Sequence, residues 1–114
     1  MSGRSSKNKG SSGERELVKK LQELGVEAER TLFQPSKDNP RPDVRTNIKN
    51  TSWECKRVEK LSLWAALKQT EKAAKENERP VLAFRRNNTS WKVAIDLDYF
   101  IELLKDGNRL HEYF

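Results

Sequence analysis

The sequence predicts a single α/β (mixed α+β) domain with a central mixed β-sheet flanked by helices, in the order αβββαββα. Three observations predict it. Apolar residues recur at helical spacing in three segments, around residues 17–24, 63–74 and 97–104. Between these segments lie short runs rich in Val, Ile, Trp and Phe, at residues 26–33, 53–58, 80–84 and 91–95. Gly, Pro, Asn and Asp punctuate the boundaries.

Residues 1–12 hold Ser, Gly, Lys, Arg and Asn with no apolar pattern after Met1, and are expected to form a flexible basic tail. Arg4, Lys7 and Lys9 give this tail half of the formal net charge of +6. It reads either as an arm lying along a phosphate backbone or as a solubilising leader. A folded domain over residues 13–106 and a C-terminal tail over 107–114 complete the expected organisation.

Ser11 or Ser12 is expected to cap the first helix, with Glu14 three residues after Ser11 as a capping box requires. Leu17, Val18, Leu21 and Leu24 form its apolar stripe, and Gly25 ends it. Residues 26–33 read as a strand and 34–40 as a loop rich in Pro, Asn and Asp. Residues 42–45 and 53–58 read as two strands joined by a polar turn through Asn47 and Asn50. A second helix spans about 61–77, with Leu63, Ala66, Leu67, Thr70 and Ala74 on one side. Strands at 80–84 and 91–95 flank a turn at 86–89. Asp96 or Asp98 caps a last helix carrying Leu97, Phe100, Ile101 and Leu104, closed by Gly107.

At 114 residues, the chain suffices for one domain, burying roughly two-thirds of its unfolded surface. Charged residues make up 35% and hydrophobic ones 34%, a balance too apolar for a disordered chain. The positive charge, with a pI near 9.6, points to a polyanionic partner. Cys55 is the only cysteine, which excludes an internal disulfide and a thiolate metal cage. No apolar run reaches membrane-spanning length and no signal-peptide pattern follows the basic start, so the expected setting is cytoplasmic, without membrane association. Asn50-Thr51-Ser52 and Asn88-Thr89-Ser90 match the glycosylation pattern but read as turns in that setting.

Four positions carry the potential chemistry. Glu14 continues the stripe of Leu17 and Val18 towards the helix start, where a carboxylate needs a cation, a cap or a metal. It reads equally as a charge favoured at a helix N-terminus. Asp43 follows Pro42, which confines it to a strand start or an edge, and it reads also as a turn aspartate. Glu54 and Lys56 project from one face of a strand, with Trp53, Cys55 and Arg57 on the other. A solvated ion pair is the plain alternative. Yet Glu54-Cys55-Lys56 is the only acidic-x-Lys triplet in the chain, and Trp53, Cys55 and Val58 flank it. If adjacent strands bring Asp43 and Glu54 together, their oxygens suit a hard divalent cation. Such a cation lowers the pKa of water and offsets charge on a phosphate. Lys56 would then orient the attacking water or neutralise developing charge, and Glu14 would complete the site.

These residues resemble those of the archaeal-type Holliday junction resolvases of the PD-(D/E)XK nuclease superfamily. The resemblance runs through Gly13-Glu14-Arg15-Glu16-Leu17, Pro42-Asp43-Val44, Trp53-Glu54-Cys55-Lys56, and the segments at 80–84 and 91–95, covering residues 10 to about 104. It implies a restriction-endonuclease-like fold, a divalent metal site loaded with magnesium (manganese substituting) and a homodimer. Under it, Asp43 and Glu54 match metal ligands, Lys56 the catalytic lysine, and Glu14 an acidic active-site residue. The carbonyl of Cys55 is placed as a further ligand and Arg15 matches a basic residue that handles DNA. Gln69 is the candidate for the glutamine that many members carry on the next helix, and otherwise is a surface residue. The stretch 34–41 is longer than usual for the family. His111 reads as a tail residue, because metal-activated water needs no histidine.

The function expected is therefore a metal-dependent endonuclease that resolves four-way (Holliday) junctions in branched DNA, in a cell or encoded by a virus. Another nuclease of this fold, nicking or repairing duplex or flap DNA, would use the same four residues. An inactive DNA-binding module is the alternative of another class. Leu61, Leu63 and Trp64 are candidates for a dimer surface or for core, and Arg85, Arg86 and Lys92 stay open between DNA contact and plain surface.

Overall fold

The computed structural model describes residues 2–32 and 40–107, with side chains from Ser11 onward. Along the chain run α1 (Ser2–Glu23), β1 (Ala28–Arg30), β2 (Val44–Thr46), β3 (Thr51–Arg57), α2 (Leu63–Ala73), β4 (Arg79–Arg85), β5 (Lys92–Ala94) and α3 (Leu97–Asp106). The order is the αβββαββα that the sequence predicts. Among the described residues the sheet has five strands in the order β1-β2-β3-β4-β5. β1–β2, β2–β3 and β4–β5 pair antiparallel, and β3–β4 pair parallel, with α2 as the crossover that a parallel pair requires.

The alternation along β3 and β4 sorts their residues onto two faces. Trp53, Val81 and Ala83 pack with Val44 against Leu17 and Leu21 of α1. The opposite face carries Glu54 and Leu82, and Ala66, Thr70 and Ala73 are the buried residues of α2. Because β3 lies in the middle of the sheet and is covered on both sides, Ser52, Trp53 and Glu54 are all buried. That position takes the Glu54 carboxyl of the acidic-x-Lys triplet out of bulk water, with Lys56 half-buried, and disfavours its reading as a solvated pair. The glycine after α1 behaves as expected, with Gly25 at a φ of 88°.

Several boundaries differ. α1 reaches back to Ser2, so Ser11 and Ser12 lie inside it and cap nothing; the Ser11 hydroxyl instead accepts a bond from Arg30 at 3.1 Å. β1 keeps only three residues of the expected 26–33; residue 33, and 34–39 of the expected loop at 34–40, lie outside the described residues. Asp96 occupies the cap position of α3 without a side-chain cap bond, and Gly107 ends it at a φ of −80° rather than in the left-handed region. The stripe of α3 is the larger correction. Of Leu97, Phe100, Ile101 and Leu104, the first two are exposed and the last two only half-buried, and no residue of α3 is buried. Only one side of this helix meets the sheet, through Tyr99 beside the core and the Arg79–Glu102 ion pair at 2.5 Å.

Candidate active site

Asp43 is held before its side chain is considered. Its carbonyl accepts Thr31 N–H and its own N–H reaches Trp53 O, both at 3.0 Å, so its backbone is clamped on two sides. The residue after Pro42 thus stands at an inner strand start, and the edge alternative is excluded. Its Oδ2 accepts the Cys55 N–H at 3.0 Å. Because Trp53 O points towards β2, Cys55, two residues on, sends both its N–H and its C=O to the same side. The Cys55 carbonyl therefore faces the Asp43 side of β3.

Glu54 is 8% exposed. Burial chiefly pushes its carboxyl up to about 9; the Asp43 carboxylate within hydrogen-bonding reach adds to this, and so does Glu14, against the pull of Lys56. Glu14 arrives from α1, and burial together with the Asp43 charge raises its carboxyl while Arg30 holds it down. The Arg30 Nε donates to Glu14 Oε1 at 3.1 Å. The structure thus brings together the four residues singled out in the sequence: the Asp43 carboxylate, the Glu14 and Glu54 carboxyls whose proton affinity burial and neighbouring charge raise, and Lys56.

Glu14, Asp43 and Lys56 border an open cleft of about 780 Å³, whose lining also includes Ser12, Gly13 and Cys55; Glu54 lies buried behind it. Burial and the surrounding carboxylates push the Cys55 thiol well above its ordinary value, so it is no nucleophile here. Gly13 lets α1 come close enough to deliver Glu14. A Cβ at Gly13 would stand 2.6 Å from the Cβ of Arg57, a clash between two rigid elements.

Other residues around the site were not found by reading the sequence. Arg30 sits sixteen residues from its partner Glu14, and only the docking of α1 against β1 makes them neighbours. Glu16 receives both Arg57 Nε, at 3.2 Å, and Arg85. Arg57 continues to Asn87 Oδ1 at 2.8 Å and to Glu59 at 3.4 Å. The alternation that places Arg57 opposite Lys56 was the one available signal for this network. Among the other expected residues, Arg15 is exposed beside Glu14, whose carboxyl it pulls down. Gln69 is exposed on α2 and does not line the cleft, so it falls to its surface reading. Arg4, Lys7 and Lys9 lie on the helical backbone of α1, their side chains outside the described residues, as is His111.

Among the described residues no group of three or more His, Cys, Asp or Glu is placed to hold a metal ion. A hydrated hard cation needs less, typically one or two carboxylates with water and substrate phosphate. Asp43 and Glu54 meet that requirement, and their mutual repulsion, visible in the raised Glu54 carboxyl, is what a dication would relieve. The donor set fits a partly hydrated divalent cation and not a zinc-type cage.

The architecture and this cleft define a nuclease-type domain of the restriction-endonuclease-like fold. Among solved structures, Hjc from Archaeoglobus fulgidus, a Holliday junction resolvase, superposes with a TM-score of 0.59 at 20% identity, covering 75% of this chain and 76% of that one. Residues 5–111 match the family described as "Phage putative PDDEXK endonuclease", and the chain belongs to that family. No curated protein matches the chain. No helix among the described residues is long and apolar enough to cross a membrane.

Proposed function

We propose that this protein is a metal-dependent, structure-selective DNA endonuclease that resolves four-way junctions as a homodimer. The observation that carries the reading is the meeting of Glu14, Asp43 and Lys56 in one open cleft of a basic chain, with the charges of all three acting on the buried Glu54 carboxyl. Carboxylates concentrated beside a lysine suit phosphodiester hydrolysis, in which a cation and an ammonium share the developing charge.

Asp43 and Glu54, with the Cys55 carbonyl, would hold magnesium, or manganese in its place; the cation supplies charge to the phosphate and acidity to water. Lys56 donates to the attacking water or to a phosphate oxygen. Glu14, oriented by Arg30, closes the α1 side of the cation's surroundings. Arg15 and the cations of the first turns, Arg4, Lys7 and Lys9, take phosphates further along the DNA. A dimer would present two such clefts to opposed strands. Trp64, 81% exposed, and Leu63, 38% exposed, offer an apolar surface for it, since the core does not use them. Such an enzyme works where DNA is, inside a cell, and the phage family to which the chain belongs suits a virus-encoded protein.

Purified protein is incubated with magnesium and a labelled four-way junction, a flap or a plain duplex. Paired symmetric nicks in the junction, absent from the other substrates and from a metal-free control, support the reading. Equal cleavage of flap or duplex replaces junction resolution with a general nuclease. Binding without any cleavage replaces both with an inactive DNA-binding module.

A further inference from the structure

Next to the cleft lies a second hollow, of about 300 Å³, which shares Lys56 with it. Its lining includes Leu61, Phe84, Arg86, Thr89 and Lys92 besides Lys56. Lys56 is in register with Phe84, and Phe84 with Lys92. These three side chains therefore form one row across β3, β4 and β5, on one face of the sheet, with a half-buried aromatic ring between two cations. The row spans roughly 10 Å, two interstrand spacings.

The charge of the hollow is not spent within the protein. Its one carboxylate, Glu59, is engaged by Arg57 at 3.4 Å and by the Asn87 N–H at 2.8 Å. Arg85, which also borders the hollow, is turned to Glu16 and lies over Trp91. Arg86 and Lys92 are exposed and pair with no carboxylate among the described residues. Arg86 is also held in place: its N–H donates to Thr89 Oγ1 at 3.1 Å, that hydroxyl donates back to Arg86 O at 2.9 Å, and Asn88 closes the turn at a φ of 63°.

We infer that this hollow is a subsite for one unpaired nucleotide of the DNA strand adjoining the cleaved phosphate, its base on Phe84 and its phosphate on Arg86 and Lys92. The inference rests on the nuclease reading above and adds to it the origin of structure selectivity. Lys56 belongs to both hollows, so a strand whose phosphate lies at the cleft reaches Phe84 within one nucleotide step. In a duplex both faces of a base are stacked and closed to Phe84. At a branch point or gap an unstacked base has a free face, and aromatic stacking on it is sequence-tolerant. A basic rim around an apolar floor is the pattern by which proteins hold single strands.

Anisotropy titrations in EDTA, with the full chain, compare a junction carrying unpaired nucleotides at its branch with a plain duplex of equal length. Phe84→Leu is expected to lose about tenfold in affinity for the branched substrate and little for the duplex, the scale of one stacking contact. Arg86→Gln with Lys92→Gln should lower the salt slope on the branched substrate by about 0.7, for the one single-strand phosphate they hold. Lys68→Gln with Lys72→Gln, on the exposed side of α2, is the charge-matched control and should leave that slope unchanged. The Arg86 and Lys92 changes are at the surface, so they test the subsite even if Phe84→Leu fails to fold. Unchanged preference and slope in these variants, with a parent that binds and cleaves DNA, overturn the subsite alone. A parent that neither binds nor cleaves DNA overturns the nuclease reading and the subsite with it.

Discussion

The Asp43 carboxylate accepts the Cys55 amide hydrogen at 3.0 Å. A side chain at the start of β2 thereby takes a position where a sheet would offer a backbone carbonyl. The bond fixes Asp43 against the middle of β3, and with it the spacing to Glu54. Asp43→Asn retains an oxygen that accepts this bond but removes the charge. Cleavage should fall at least ~100-fold, the scale of losing one preorganised charged group, while junction affinity in EDTA is unchanged or higher. Parental cleavage rates in magnesium for this variant would remove Asp43 from the site.

Arg30 acts on Glu14 by position. Its guanidinium holds the Glu14 carboxyl down against burial and the Asp43 charge. In Arg30→Met that restraint is gone, so the acid limb of the pH–rate profile should move to higher pH. Activity should drop roughly tenfold, as for other groups that orient a site from behind. Arg30→Lys should restore part of it. A profile that does not move in Arg30→Met, whatever its height, would reduce Arg30 to a structural residue.

Glu54 links the site to stability. Its folded carboxyl is pushed up to about 9 from an ordinary 4.5. Between those values the folded state holds a proton that the unfolded state has lost. Stability in metal-free buffer must then fall as pH rises through that window. Glu54→Gln, which cannot ionise, should flatten the fall and melt higher than the parent at pH 8, but not at pH 4. Magnesium should raise the parent's Tm most at pH 8. A Tm difference independent of pH would contradict this account.

Gly13 tests how α1 is seated. Alanine favours a helix by up to about 1 kcal/mol over glycine. Here its Cβ would meet the Arg57 Cβ at 2.6 Å, and overpacking of that kind costs about 1–3 kcal/mol. The clash should outweigh the propensity gain: Gly13→Ala is expected to lower Tm by about 5 °C and to lower activity by displacing Glu14. A stabilised, fully active Gly13→Ala would show that α1 is free to shift.

Deleting residues 1–9 removes Arg4, Lys7 and Lys9. If those cations reach phosphates, the slope of log affinity against log salt should become shallower by about 2.7, three contacts at roughly 0.9 each. The same slope with and without the segment would leave it a purely structural start to α1.

The sequence by itself determined the element order, the face alternation on β3 and the identity of Glu14, Asp43, Glu54 and Lys56 as candidates. Those follow from local geometry: apolar periodicity distinguishes helix from strand, and a two-residue step puts Glu54 and Lys56 on one face. Only the tertiary structure decided what these groups face. Burial of Glu54 comes from the central place of β3 under two layers of helix. The Arg30–Glu14 pair, the hold of Glu16 on Arg57 and Arg85, and the close approach at Gly13 join residues far apart in the chain. No local pattern encodes such pairings, because each depends on how strands register and helices dock. The same reason explains α3. Its stripe of Leu97, Phe100, Ile101 and Leu104 has the spacing of a core helix, yet Leu97 and Phe100 remain exposed and Ile101 and Leu104 half-buried, because periodicity states which residues share a side and not whether anything covers it.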